Sequence, residues 1–209
     1  MSYPQQSSVQ PGPEPGTIYV PGIGVQKITD WRTDLIYDAE LMPVNIAAGQ
    51  QFVFFRNLAV AGVNKTRRET NIITPSQLPY GNRAVIYGIH FHTIQTAFPD
   101  DAVTLLSNGY VEFITGDTKR ERSGPIWSFP SPFGLTGFGV ADGGGAPVMF
   151  AQVNNGVPSP SSIGKMEIPI DLASLMTFQC TLTFFTAQVL FQTTWVYCTL
   201  RAYINTIVR

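Results

Sequence analysis

Apolar and polar side chains alternate along much of this chain, with the period of two that is typical of half-buried β-strands. The clearest run lies in residues 194–208, where Val196, Cys198, Leu200, Ala202 and Ile204 share one face. Helical periodicity is nearly absent. The predicted strands are Thr33–Met42, Gln51–Leu58, Ala84–Ile94, Thr104–Leu106, Tyr110–Thr115, Val148–Val153, Lys165–Ile170, Met176–Ala187 and Thr194–Val208.

Local sequence signals add a turn and two short helical segments to this strand pattern. Asn108-Gly109 between two apolar runs predicts a hairpin that joins Thr104–Leu106 to Tyr110–Thr115. The same region also has the features of a helix start, because Pro99–Leu106 places two aspartates in a first turn. Asp171–Met176 predicts one short helical turn with an aspartate cap.

The first predicted strand, Thr33–Met42, has one apolar and one acidic face. We expect its acidic face to be solvated, with Ile36 as an exception. The acidic side chains are Asp34, Asp38 and Glu40, opposite Leu35, Tyr37, Ala39 and Leu41.

Eight or nine antiparallel strands in a chain of this length predict an all-β fold, an antiparallel β-sandwich. Long connections favour a single jelly roll over an up-and-down barrel. We expect a β-sandwich domain at residues 25–209, preceded by an extended N-terminal arm at residues 1–24 that is rich in Pro, Gly, Gln and Ser. Apolar anchors in the arm predict docking on a neighbouring subunit; they include Tyr3, Ile18 and Tyr19.

A long aromatic and Gly-rich loop at residues 116–164 interrupts the strand pattern. Loops of this length are usually functional or disordered. Its aromatic side chains predict packing against the sandwich or a neighbour; they are Trp127, Phe129, Phe133 and Phe138.

Charged residues make up only 13% of the chain, against about 25% in ordinary soluble domains. Residues 123–200 contain four charges, at Asp142, Lys165, Glu167 and Asp171. A surface so poor in charge predicts contact with copies of the chain, another partner or a membrane. Residues 172–200 are uncharged and long enough for a membrane helix, but their apolar residues alternate, which favours strands.

The net charge of −1 gives no general attraction to nucleic acid. Residues 1–16 lack the basic and apolar regions of a signal peptide, so we expect synthesis in a cytoplasm. Two basic clusters remain open to three interpretations, namely solvated loops, subunit contacts or polyanion contacts. Their basic residues are Lys65, Arg67, Arg68, Lys119, Arg120 and Arg122.

His90 and His92 share one face of a predicted strand, the arrangement that holds a metal in cupins. The following residues offer no Glu, and the chain has no third His. The alternative is a pair facing solvent or an interface, opposite Ile89 and Phe91. Cys180 and Cys198 predict buried reduced thiols, with a disulfide left open.

Motifs for nucleophilic catalysis and for phosphate loops are absent from the sequence. The prediction is therefore a protein that is not an enzyme, with no cofactor and no small-molecule substrate.

The arm at residues 1–24, the turn-linked strands from Thr33 to Val208 and the aromatic loop Ile126–Gly139 together resemble jelly-roll coat proteins of icosahedral viruses. Within that class the chain is most similar to the major capsid proteins of tailless, membrane-containing phages. The resemblance implies a structural protein of the virion capsid that assembles into trimers or capsomers, with arms that tie neighbouring copies together. Other capsid proteins, and a membrane or genome beneath the shell, are further implied partners.

Three alternatives remain beside this resemblance. The chain could be another virion component, such as a minor capsid, spike or tail protein. A carbohydrate-binding β-sandwich would use exposed aromatics among Trp31, Trp127 and Trp195. A cupin-like metalloenzyme would use the two histidines.

Overall fold

The computed structural model describes residues 17–20, 23–27, 30–57, 65–94, 97–116, 118–131, 137–142, 147–152, 166 and 168–206. Within these ranges the chain forms many strands and a single α-helix, α1, at Pro99–Asn108. A 3-10 turn spans Ile126–Ser128. The strands are β1 Thr17–Val20, β2 Gly24–Lys27, β3 Trp31–Met42, β4 Asn45–Ile46, β5 Gln50–Phe54, β6 Asn82–Thr93, β7 Gly109–Thr115, β8 Lys119–Pro125, β9 Gly137–Asp142, β10 Pro147–Gln152, β11 Ile170–Leu172, β12 Phe178–Phe184, β13 Gln188–Val189 and β14 Thr194–Thr206.

Eight of these strands build two four-stranded sheets, in which all pairings are antiparallel. The first sheet has the order β11-β6-β14-β3, and the second has the order β5-β12-β7-β8. The remaining strands form the separate pairs β1–β2, β4–β13 and β9–β10. The predicted all-β, antiparallel and sandwich-like fold is confirmed.

One apolar core fills the space between the two sheets. The Phe54 ring on β5 meets the Phe91 ring on β6 edge to face, with centroids 5.5 Å apart. In β12 the sequence alternates in the same way, which predicts that Phe178, Cys180, Leu182 and Phe184 face inward. The predicted inward faces of β12 and β14 are confirmed, because these alternate apolar side chains are almost fully buried. Burial of these alternating faces is the main stabilising term for such a sandwich.

The prediction for the faces of β3 is wrong. Ile36 and Met42 belong to the core, and Asp38, on the same face, is fully buried, whereas Leu41 on the supposed apolar face is 42% exposed. The buried Lys65 binds Asp38 and Glu40 on this face. The sequence of β3 alone does not reveal this partner, because Lys65 lies far from β3 in the chain.

The predicted hairpin at Asn108-Gly109 is also wrong, and the alternative of a helix starting at Pro99 is confirmed. Gly109 has an ordinary φ of −81° and begins β7 directly. A Cβ at this position would lie 2.6 Å from Leu182 Cδ1. The glycine therefore permits a close approach of the helix end to β12 and does not form a turn.

Three other segments differ from their predicted structure. In the predicted strand Lys165–Ile170, only Ile170 belongs to a strand among the described residues. Residues 119–125 form β8, an edge strand inside the supposed loop at 116–164, and β9 was not predicted there either, whereas β10 corresponds to the predicted strand Val148–Val153. β8 was not predicted because its sequence is rich in charged residues, although charged side chains are typical of edge strands. Asp171 lies in β11 and receives a bond from Arg83 Nε at 2.9 Å, so it caps no helical turn.

The end of the supposed arm packs on its own domain. β1 and β2 form an antiparallel pair that crosses the expected boundary at Gly24. Val20, Trp31 and Val85 form a small apolar cluster with Ile18 and Tyr203 packed against it. The β1–β2 pair thus covers part of the outer face of the first sheet.

Candidate functional site

Large apolar side chains are exposed on the loop that joins β12 to β14 and just before α1. Phe185, Val189 and Phe191 are 67%, 75% and 70% exposed, and Phe98 is 45% exposed. The Phe98 and Phe191 rings lie 5.7 Å apart. These four residues are called the loop-end surface below. Exposed apolar groups of this size are typical of surfaces that contact other molecules.

Hydrogen bonds fix the backbone that carries the loop-end surface. The buried Asp101 carboxylate on α1 accepts the N–H of Phe191 at 2.7 Å and that of Gln192 at 3.2 Å. The Leu190 N–H donates to the Val44 carbonyl at 2.8 Å, beside the β4–β13 pair. The apolar side chains therefore stand on an ordered loop, which lowers the entropic cost of binding.

The aromatic candidates of the 116–164 segment divide between the core and the surface. Phe129 is buried and packs edge to face on Phe91, as expected. Trp127 is 68% exposed, so it does not pack against the sandwich. Its neighbour Ile126 points into the core instead, and a short 3-10 turn cannot direct every side chain inward. Phe133 lies outside the described residues, as does the side chain of Phe138.

The candidates in the arm also fall in different places. Tyr3 lies outside the described residues. Ile18 is half-buried against its own domain, whereas Tyr19 on the same strand is 61% exposed and remains available for contact.

Lys65 does not belong to a solvated basic loop, because it is only 5% exposed. Its Nζ lies 3.1 Å from each Asp38 oxygen and 2.5 Å from Glu40 Oε1. The Phe55 N–H also donates to Asp38 Oδ2 at 2.6 Å. Lys65, Asp38 and Glu40 are called the buried charge cluster below.

Burial governs the protonation of the two carboxyls in this cluster. Desolvation raises the pKa of Asp38, and the nearby Lys65 ammonium and the Phe55 N–H oppose that rise. Desolvation likewise raises the pKa of Glu40 against the opposing effect of Lys65. Removing one partner of such a group would leave a buried charge uncompensated, which typically costs several kcal/mol.

The other basic candidates lie at the surface, and several are already paired. Lys119 contacts Glu121 at 2.7 Å, and Arg120 contacts Glu112 at 2.7 Å. The guanidinium of Arg122 lies 4.9 Å from the Phe129 ring centroid. Arg67 and Arg68 are exposed. This pairing weakens the case for a polyanion site on β8.

His90 and His92 lie on the face of β6 opposite Ile89 and Phe91, as predicted, but His90 is fully buried rather than solvent-facing. Its Nδ1 lies 2.6 Å from the Pro130 carbonyl oxygen, because the segment after the 3-10 turn covers it. Burial lowers the pKa of both, that of His92 to about 4. Across the described ranges, no group of three or more His, Cys, Asp or Glu could hold a metal ion.

Cys180 and Cys198 are both buried and free, which confirms the prediction of reduced thiols. They lie on the central strands β12 and β14 of opposite sheets and contact each other across the core. Burial, followed by the contact with Cys180, raises the pKa of the Cys198 thiol.

A cleft between β3 and residues 71–79 encloses about 90 Å³. Ligand pockets for small molecules usually measure roughly 300–1,000 Å³. The cleft is therefore small for a substrate.

No protein-family model, curated protein or solved structure matches this chain. Among the described residues, no helix is long and apolar enough to cross a membrane.

Proposed function

We propose that the chain is a structural coat protein whose copies assemble into an icosahedral virus capsid, as a single jelly roll without enzymatic activity or cofactor. The observation that carries the proposal is the loop-end surface, a set of large apolar side chains on an ordered loop. A protein that remained monomeric would expose these groups to water at a cost in solubility. Contacts between copies would cover them.

The order of the main strands supports the jelly roll. In chain order the eight strands are β3, β5, β6, β7, β8, β11, β12 and β14. The first and last of them are neighbours in one sheet, and the second and seventh are neighbours in the other. Jelly rolls consist of eight strands in two sheets with such nested connections, and they are typical of viral capsid domains. They also occur in lectins and cupins, so fold alone does not set the function.

The scarcity of charge supports contacts on several sides of the subunit. With 13% charged residues, the chain has less of the mixed surface charge that keeps isolated domains apart. Copies of the chain are the main proposed partners, as trimers or larger capsomers, and other capsid proteins are further partners. A membrane or genome would lie beneath the shell.

The first test is the mass of the purified protein in solution by light scattering, with negative-stain imaging of the same sample. We expect trimers, capsomers or shells for the wild-type chain. Phe191→Ser should reduce the assembled fraction at least tenfold, because it removes one aromatic anchor from the loop-end surface. Ile168→Ser is the matched control, since Ile168 is 83% exposed and precedes β11, so it is not part of that loop.

A wild-type protein that stays a 22.9 kDa monomer at high concentration would contradict the proposal. Equal loss of assembly in both variants would contradict the role given to the loop-end surface. A monomer that binds glycans through the exposed Trp127 would instead favour the carbohydrate-binding alternative.

A further inference from the structure

We propose that Lys65 and Asp38 react to form an intramolecular amide bond, with Glu40 as the proton carrier. The bond would join β3 covalently to the segment that follows β5. The inference stands on the buried charge cluster alone, so it holds or fails independently of the assembly function.

The reacting atoms are already in contact. Lys65 Nζ lies at the same distance, 3.1 Å, from both oxygens of Asp38. A nitrogen in that position is also roughly 3.3–3.5 Å from the carboxyl carbon between them, within the near-attack distance, and the Asp38 carboxyl must rotate to turn its face toward Nζ before the attack. Well-oriented groups of this kind reach effective molarities of about 10⁵–10⁸ M, which lowers the barrier to a condensation that is very slow between separate molecules in water.

The cluster is shielded from water on most sides. The side chain of Lys65 is 6% exposed and that of Asp38 is 0% exposed, whereas Glu40 retains 17% exposure. Low polarity favours the neutral carboxylic acid over the carboxylate, and the neutral acid is the form that the amine attacks. Burial raises the pKa of Asp38, which favours its protonated form, and raises the pKa of Glu40, which makes the Glu40 carboxylate a better proton acceptor. Glu40 is the more exposed member and gives the released water a way out.

The atoms balance without any oxidant or other reagent. One proton first passes from the Lys65 ammonium to the Asp38 carboxylate, which gives an amine and a carboxylic acid. The Nζ lone pair then attacks Asp38 Cγ, and Glu40 takes the proton that Nζ loses. Glu40 returns this proton to the hydroxyl that leaves as water, so an Nζ–Cγ bond replaces a Cγ–O bond.

Backbone geometry supports the attacked carboxyl. The Phe55 N–H, 2.6 Å from Asp38 Oδ2, would stabilise the negative charge that develops on that oxygen during attack. Phe55 is fully buried with a left-handed φ of 68°, and its ring packs 5.4 Å from that of Phe178. The donor is thus fixed in place before any reaction.

The test is the intact mass of the full-length denatured protein after folding and prolonged incubation. We expect the wild-type chain to be lighter than its sequence mass by one water molecule. Proteolysis followed by tandem mass spectrometry should recover one branched peptide that contains both residue 38 and residue 65.

Three variants make the test specific. Glu40→Gln keeps both reacting groups but removes the proton carrier, so it should retain the full sequence mass. Lys65→Arg keeps a positive charge but offers no amine, so it should also retain the full mass. Asp171→Asn alters an exposed ion pair with Arg83 instead, and this control should still lack one water.

A wild-type chain at its full sequence mass would overturn the proposal and leave an ordinary buried ion pair. A missing water that persists in Lys65→Arg would overturn it as well, because the dehydration would then lie elsewhere, for example at Asp142-Gly143. If Glu40→Gln still loses water, the role of Glu40 as proton carrier is refuted.

Discussion

Replacement of Asp101 by alanine should both destabilise the fold and loosen the proposed assembly surface. The Asp101 carboxylate is 1% exposed and receives the N–H groups of Phe191 and Gln192 at 2.7 and 3.2 Å. It is one of the links by which α1 holds the loop between β12 and β14, together with the bond from Asn108 Nδ2 to Gln188 Oε1. Alanine removes both acceptors and puts nothing in their place.

The expected magnitude follows from these two bonds. Hydrogen bonds to a charged group contribute about 1.5–3 kcal/mol each to stability. Both donors are only partly buried, so water would replace part of what is lost, and the lower end of the range applies. We expect the free energy of unfolding to fall by about 2–3 kcal/mol, a large share of the roughly 5–15 kcal/mol of a typical domain.

Asp100→Ala is a closely matched control. Asp100 lies in the same first turn of α1, so both substitutions remove a similar interaction with the helix dipole, about 0.3–1 kcal/mol. Asp100 is exposed, and no hydrogen bond to the loop is found for it among the described residues. The difference between the two variants therefore isolates the contacts with the loop.

Equilibrium unfolding in urea, followed by tryptophan fluorescence, would measure this difference. Light scattering on the same variants should show that Asp101→Ala assembles less well than Asp100→Ala, even where both are folded. Equal stability of the two variants within about 0.5 kcal/mol would refute the reasoning. Water would then replace the Asp101 carboxylate as acceptor for the two loop N–H groups without loss of stability.

Three other predictions follow from buried polar groups. Burial lowers the pKa of His92 from 6.5 to about 4, so between these pH values only the unfolded state binds the proton. Acidification from pH 6.5 to 4 should therefore lower the free energy of unfolding by up to about 3 kcal/mol. His92→Phe should reduce this pH dependence in urea titrations, and an unchanged pH dependence would contradict the role of His92. Gly88→Ala would place its Cβ 2.8 Å from His90 Nε2 and should lower the free energy of unfolding by about 1–3 kcal/mol. In thermal melts, the additional substitution His90→Ala should recover part of this lost stability. Cys180 and Cys198 should resist thiol reagents in the native protein and react fully in denaturant, and rapid native labelling would show that the core opens there.

The strands could be predicted from the sequence wherever buried and exposed side chains alternate along them. β14 and β12 are central strands whose inner faces carry only apolar side chains, so alternation alone identified their orientation. Antiparallel sandwich packing followed from the number and spacing of such runs.

Features that depend on distant partners were not predictable. The acidic face of β3 looked solvated, because Lys65 lies 27 residues beyond Asp38 in the sequence. Likewise, Asn108-Gly109 is a strong turn signal, yet close packing of Gly109 against Leu182 decides its conformation. The loop-end surface was missed because Phe185 fell within the predicted strand Met176–Ala187, and residues 188–193 were interpreted as a simple connection between strands. The available signal was the pair Phe185 and Phe191 close to a turn.

The position of β14 in the first sheet also has a consequence for how the protein is made. β14 lies between β3 and β6, so β3 has no partner in the first sheet, and β6 has only the short β11, until residues 194–206 have left the ribosome. Until then the nascent chain exposes the apolar faces that will become the core, which makes it prone to aggregation and a natural client for chaperones. Pairing of strands so far apart in sequence is also slow. Incomplete chains would lack a folded domain, and this would exclude them from any shell.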